Sequence, residues 1–196
     1  MKTLKLVVVL VIAGGIASAG FVYSGAYNMA ADEPHWMPTE GLLEVLRERS
    51  IAVRIKGIEV PADLGDAARV RRGAGNYDAM CVGCHLRPGM DDSEIRKGLY
   101  PQPPKLTEPQ ADRDAGAMSA SAAQFWIIKH GIKASGMPAW SKGGVDDGTI
   151  WDMVALLRKL PELSPADYEA AVAASAGHTH AAEAHHEHEN SHEHVH

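Results

Sequence analysis

Cys81, Cys84 and His85 are the residues of this chain whose types and spacing speak most directly of chemistry. Two thiols separated by two residues, with an imidazole next in line, form the attachment pattern for covalent haem c. Each thiol adds to one vinyl group of the porphyrin, and the following histidine lies under the iron as its proximal ligand. The chain has only these two cysteines, so no disulfide framework competes for them. A thioredoxin-like redox pair requires a βαβ context, and no strand alternation is evident here. A structural zinc site requires four ligands, and a second pair is missing.

An iron that only carries electrons needs a second protein ligand on its other face. Met137 fits best. It lies well beyond His85 in sequence, far enough to reach the opposite face. Pro138 pushes it out of helical conformation and stiffens its loop. Met80 and Met90 lie too close to the motif, Met153 reads as a core residue of a helix, and nothing local fixes Met118. His130 stays open as the competitor and would give a bis-imidazole site. The proximal imidazole in turn needs an acceptor for its other N–H. A carbonyl in the Pro101–Pro104 turn is placed for this, with Pro104, just ahead of Lys105 and Leu106, as the choice. Trp140 either packs on the porphyrin or donates its indole N–H to a propionate; ordinary core packing serves equally well.

These groups must be held by helices. The 196-residue chain has room for one domain with appendages, and at 6% aromatic content a porphyrin would supply much of its flat apolar mass. A helix is expected from Asp66 towards the motif, with Val70, Gly73 or Ala74, and Tyr77 on one side. Gly73 weakens that helix by about 1 kcal/mol against alanine, which means either close contact with another helix or simple tolerance. A second helix is expected to open at Ser121 and Gln124 as a capping box and to end at Gly131, with Phe125 and Ile128 on one face. A third runs from Asp146 or Asp147 to Pro161 with an apolar stripe of Trp151, Val154, Leu157 and Leu160. Ser164-Pro165-Ala166-Asp167 opens a short final helix. The fold class is therefore all-α.

At this point the chain resembles a class I monohaem c-type cytochrome of bacterial kind. The resemblance rests on Cys81-Val82-Gly83-Cys84-His85, the Pro104-Lys105-Leu106 turn, Gly131 ahead of Gly136-Met137-Pro138, and the closing helix from Trp151 to Leu160. It implies one covalent haem c with His/Met axial ligation, crossed first and last helices meeting at Gly73 and Tyr77, and electron transfer in the periplasm or at its membrane. Leu106 and Trp140 join Cys81, Cys84, His85, Pro104 and Met137 as expected cofactor-binding residues.

The remaining segments lie outside that resemblance. Lys2 and Lys5 precede an apolar run from Leu6 to Val22, which predicts export of everything downstream. Residues 1–23 are either a transmembrane anchor, the favoured reading, or a signal peptide cleaved before Gly20. The protein is thus expected on the periplasmic side of the bacterial inner membrane if anchored, or in the soluble periplasm if cleaved. Residues 24–65 form an N-terminal extension with Thr39 as a helix N-cap, 66–163 the cytochrome domain, 164–177 a short helix, and 178–196 a disordered tail. That tail holds His178, His180, His185, His186, His188, His192, His194 and His196 among four glutamates. It cannot bury enough surface to fold alone, and its imidazoles suit Zn²⁺, Cu²⁺ or Ni²⁺. Its side chains swing from four negative charges to four positive ones (8 − 4) as the histidines protonate.

A formal net charge of −6 gives nucleic-acid binding no support. No separate catalytic constellation is present, so the expected function is a one-electron carrier and not an enzyme. Its partners are redox donors and acceptors, among them membrane-bound respiratory complexes. Two alternatives remain: a periplasmic metal-handling protein that uses the tail, and a haem sensor with an open iron position.

Overall fold

A computed structural model describes residues 1–109 and 117–178. Among the described residues there are eight α-helices and no strand. The chain divides into two compact units, Met1–Leu43 and Glu44–His196.

In the first unit, α1 spans Lys2–Ser24 and none of its residues is buried. The apolar run of the sequence extends to 23 helical residues because both flanks join the helix, giving a rod about 34 Å long at 1.5 Å per residue. An 18-residue window of it reaches a mean hydropathy of 2.4, so the helix is long and apolar enough to cross a membrane. Gly25 ends it in the left-handed conformation at φ 68°. The chain then turns back: Trp36 packs its ring 5.8 Å from Phe21 and 5.0 Å from Tyr27, and the Tyr27 hydroxyl bonds Nδ1 of His35 at 2.8 Å. α2 (Met37–Arg54) starts two residues before the expected cap at Thr39. The Thr39 amide is engaged by the Trp36 carbonyl at 2.8 Å, so Thr39 lies within the first turn, with Pro38 ahead of it where its missing N–H is harmless.

The second unit is built on the crossing of α3 (Ala67–Met80) with α7 (Asp147–Lys159). Gly73 is the contact point. A Cβ there would lie 2.1 Å from the Asp152 carbonyl oxygen, so only glycine lets the two backbones come this close. Of the two readings the sequence left open for Gly73, close helix contact is the one realised. Asp152 braces the crossing from the other helix. Its carboxylate accepts from Arg72 Nε at 2.6 Å, Arg72 Nη2 at 2.9 Å and Arg69 Nη1 at 2.9 Å, while Arg69 also pairs with Asp63 at 3.0 Å. A carboxylate only 6% exposed is tolerable because two guanidiniums surround it.

α7 is buried more widely than the expected stripe: every residue from Ile150 to Leu157 is buried. α3 and α6 (Ala117–His130) lie against it, and α8 (Pro165–Ala173) packs on α3. Phe125 stacks on Trp151 at 4.3 Å between α6 and α7. α6 begins before the predicted capping box, and Ser121, 2% exposed, is an interior helical residue. The helix-favouring Ala-Met-Ser-Ala stretch carries the helix past the Ser121–Gln124 pair. Tyr168 of α8 is fully buried, its hydroxyl donating to Asp78 at 3.0 Å. Desolvation, with Asp78 beside it, raises its pKa far above the usual phenol value. The core also reaches back before residue 66, since Leu64 is 2% exposed and Ile58 and Val60 pack against it.

Candidate haem-binding site

Helix α3 delivers the motif. It ends at Met80, and Val82–His85 form the short helix α4, so Cys81, Cys84 and His85 are carried by consecutive helical turns. The His85 amide bonds the Cys81 carbonyl at 2.8 Å, which brings the imidazole one turn from the first thiol. The chain then leaves sharply. Leu86 adopts φ 66°, a left-handed value disfavoured for a branched side chain, and is fully buried. The Tyr77 hydroxyl, itself 1% exposed, donates to the Leu86 carbonyl at 2.7 Å and holds this turn.

Burial, reinforced by neighbouring Cys84, pushes the Cys81 thiol up to about 12. A redox-active pair needs a thiolate near neutral pH, so this microenvironment does not suit thioredoxin-like exchange. The imidazole of His85 is moved the other way: desolvation lowers its pKa, with Arg96 adding to the shift and the bond to Pro104 opposing it. The neutral ring is the form that ligates metal. His85 Nδ1 lies 2.9 Å from the Pro104 carbonyl oxygen. A carbonyl only accepts, so Nδ1 carries the proton and Nε2 keeps its lone pair. The Leu106 amide returns to the His85 carbonyl at 3.3 Å, closing the Pro104–Leu106 turn over the motif.

Met137 stands on a loop built around glycine. Gly131 ends α6 at φ 65°, and a Cβ there would meet the Met137 carbonyl oxygen at 2.7 Å, the Pro138 carbonyl carbon at 2.7 Å and the Ala139 nitrogen at 2.8 Å. The loop closes through Ile132 N–H to the Met137 carbonyl at 3.2 Å and Met137 N–H to Ser135 Oγ at 3.2 Å. Met137, Trp140, Leu106, Cys81 and Met80 are half-buried and pack against the core. His130, the competitor, is exposed at the end of α6 with its ring 5.0 Å from Trp126. Of the tail histidines only His178 is described, and it is exposed; His180, His185, His186, His188, His192, His194 and His196 lie outside the described residues. The side chain of Met118 does too.

Two thiols, a neutral imidazole with a free Nε2, a thioether on a loop and an apolar lining make a donor set that fits haem iron. Sequence reasoning missed the polar frame around it. Arg96, 8% exposed, donates Nε to the Pro103 carbonyl at 3.0 Å and Nη1 to Asp92 at 3.2 Å. Ser93 caps α5 (Glu94–Lys97) by accepting from the Arg96 amide at 3.0 Å, and its hydroxyl donates to the Gly83 carbonyl inside the haem motif. Serine followed by glutamate is a readable helix start; nothing local marks Arg96.

The family model described as cytochrome c oxidase, cbb3-type, subunit III matches residues 68–157. Comparison with curated proteins and with solved structures gives no match.

Proposed function

From the premise that residues 68–157 form a c-type cytochrome domain, we propose that this protein is a one-electron carrier on the periplasmic side of a bacterial inner membrane, with haem iron held by His85 and Met137. Haem-based electron transfer is the chemistry of such a domain, and the group supplies a reversible one-electron couple when bound. The chain's own residues do the rest. Cys81 and Cys84 provide the covalent attachment, and the Pro104 carbonyl orients the His85 ring and makes it more basic. Leu106, Met137 and Trp140 supply apolar surface that keeps water from the iron. The observation that carries this reading is the Nδ1 to Pro104 bond, which leaves Nε2 of a neutral imidazole as a ligand one turn from the first of two thiols.

α1 supports a membrane anchor, with Phe21, Tyr27 and Trp36 gathered at its outer end as an interfacial aromatic group. The matched family's description names an oxidase subunit, which supports membrane-bound respiratory complexes as partners. Production in a host competent for haem c maturation tests the whole reading. The expected product is red, keeps its haem through denaturation, and shows the far-red thioether-to-ferric-iron charge-transfer band. Colourless protein would overturn it; rapid carbon monoxide binding by the reduced form would reject Met137 ligation and favour the sensor.

The tail adds a second reading, metal handling, favoured by its eight histidines alone. Titration of Zn²⁺, Cu²⁺ or Ni²⁺ into the full chain and into a chain ending at Gly177 tests it. Equal binding by the two would remove it.

A further inference from the structure

Three of the four residues from Pro101 to Pro104 are prolines. Proline has no N–H, so the segment that presents the Pro104 carbonyl to His85 can hardly be secured by its own backbone donors. An outside donor must fix it, and Arg96 is in place. Its guanidinium is almost wholly withdrawn from solvent, Nε lies 3.0 Å from the Pro103 carbonyl oxygen, and Nη1 lies 3.2 Å from Asp92. The Pro103 carbonyl adjoins the peptide unit whose residue, Pro104, holds His85. At the other end the frame returns to the motif, because Ser93 accepts from the Arg96 amide and donates to Gly83. The result is a closed ring of bonds running from Gly83 through Ser93, Arg96, Pro103 and Pro104 to His85.

We propose that Arg96 is a positioning residue for the iron ligand: its fork clamps the proline turn, keeps the Pro104 carbonyl on Nδ1 of His85, and through that bond sets the reduction potential. Only a planar fork reaches both Pro103 and Asp92 from one buried stem. Lysine keeps the charge and loses the geometry. This separates the proposal from a plain charge effect, in which any cation would serve. A firm bond from Nδ1–H gives the ring more imidazolate character and favours ferric iron. Loosening it therefore raises the potential, whereas removing a nearby cation lowers it.

The inference rests on His85 being the iron ligand. The test uses the full-length, haem-loaded protein with Arg96→Lys and Arg96→Gln, and reads three quantities: midpoint potential, deuterium exchange of the His85 Nδ1 proton by NMR, and thermal midpoint. R96K is expected to exchange that proton roughly tenfold faster, the factor corresponding to the net worth of one hydrogen bond. Its potential should rise above wild type and above that of R96Q, where loss of the cation pulls the other way. Wild-type exchange and potential in R96K would overturn the proposal. So would faster exchange that only tracks a fallen thermal midpoint. If R96K does not accumulate with haem, Asp92→Ala removes the acceptor from one arm of the fork and must speed exchange of the His85 Nδ1 proton without a matching fall in thermal midpoint, or the proposal fails. Wild-type protein without covalent haem would sink the ligand assignment itself, a different result from an unresponsive R96K.

Discussion

Replacing Gly73 by alanine isolates the helix crossing that positions the haem motif. The added Cβ would lie 2.1 Å from the Asp152 carbonyl oxygen, 2.6 Å from its carbonyl carbon and 3.1 Å from the Met153 nitrogen. All three are backbone atoms of α7, so no side-chain rotation relieves the clash. Even a 3.0 Å contact requires a retreat of 0.9 Å (3.0 − 2.1). That movement would strain the bonds from Arg69 and Arg72 to the Asp152 side chain, which span the same two helices. Overpacking of this kind costs ~1–3 kcal/mol, with rigid backbone placing it at the upper end. Alanine returns up to ~1 kcal/mol of helix propensity. The expected net loss is therefore ~2 kcal/mol, or ~8–16 °C in thermal midpoint for a domain near 100 residues. Guanidinium titration of the haem-loaded protein, followed by far-ultraviolet circular dichroism and by haem absorbance, measures it. Gly41→Ala in α2 is the matched control, since a Cβ there meets nothing within 4 Å; it should be neutral or slightly stabilising. G73A as stable as wild type would refute the argument that this glycine is there for close approach.

Gly131→Ala should lower stability by ~1–3 kcal/mol, because φ 65° and backbone atoms at 2.7–2.8 Å both oppose a Cβ. It should also weaken the thioether-to-iron band by displacing the Met137 loop; an unchanged spectrum and melting curve would count against that loop's role. Tyr77→Phe leaves the buried Leu86 carbonyl without its hydroxyl partner and should lose ~1–3 kcal/mol in chemical denaturation, an outcome that equal stability would contradict. The Arg69 guanidinium, ion-paired with Asp63 at 3.0 Å, holds the Asp63 carboxyl below its ordinary 3.8. Asp63 therefore contributes stability above pH 3.8 that disappears as pH falls through the lowered value. Asp63→Asn should shrink the acid-induced drop in urea midpoint, and identical acid limbs for the two proteins would remove the linkage.

Local features were open to reading before any fold was known. Ser164 and Pro165 mark a helix start through interactions three residues long, and Ser164 Oγ accepts from the Asp167 amide at 3.2 Å. Asp146 likewise caps α7, accepting from the Thr149 amide at 2.7 Å. Asp66 occupies the N-cap of α3, yet its side chain makes no capping bond there. The Ser121–Gln124 pair misled for the opposite reason: it has the composition of a cap, but the helix-forming residues before it extend the helix. The width of the buried face on α7 was also illegible, because a stripe shows which side is apolar and not how many neighbours will cover the rest.

Residue types and short spacings determined on their own that two thiols and an imidazole lie within five residues of one another, that an apolar run from Leu6 to Val22 precedes them, and that prolines deny the Pro101–Pro104 stretch regular structure. Each depends on atoms a few residues apart, whose geometry bonding and helical period already restrict. Tertiary structure alone decided that Gly73 meets the Asp152 carbonyl, that Arg96 grips Pro103, and that Tyr77 holds the turn after His85. Contacts such as the one between positions 73 and 152 arise only when the chain closes on itself. Which partners then meet is set by the packing of whole helices, which no short window of sequence contains.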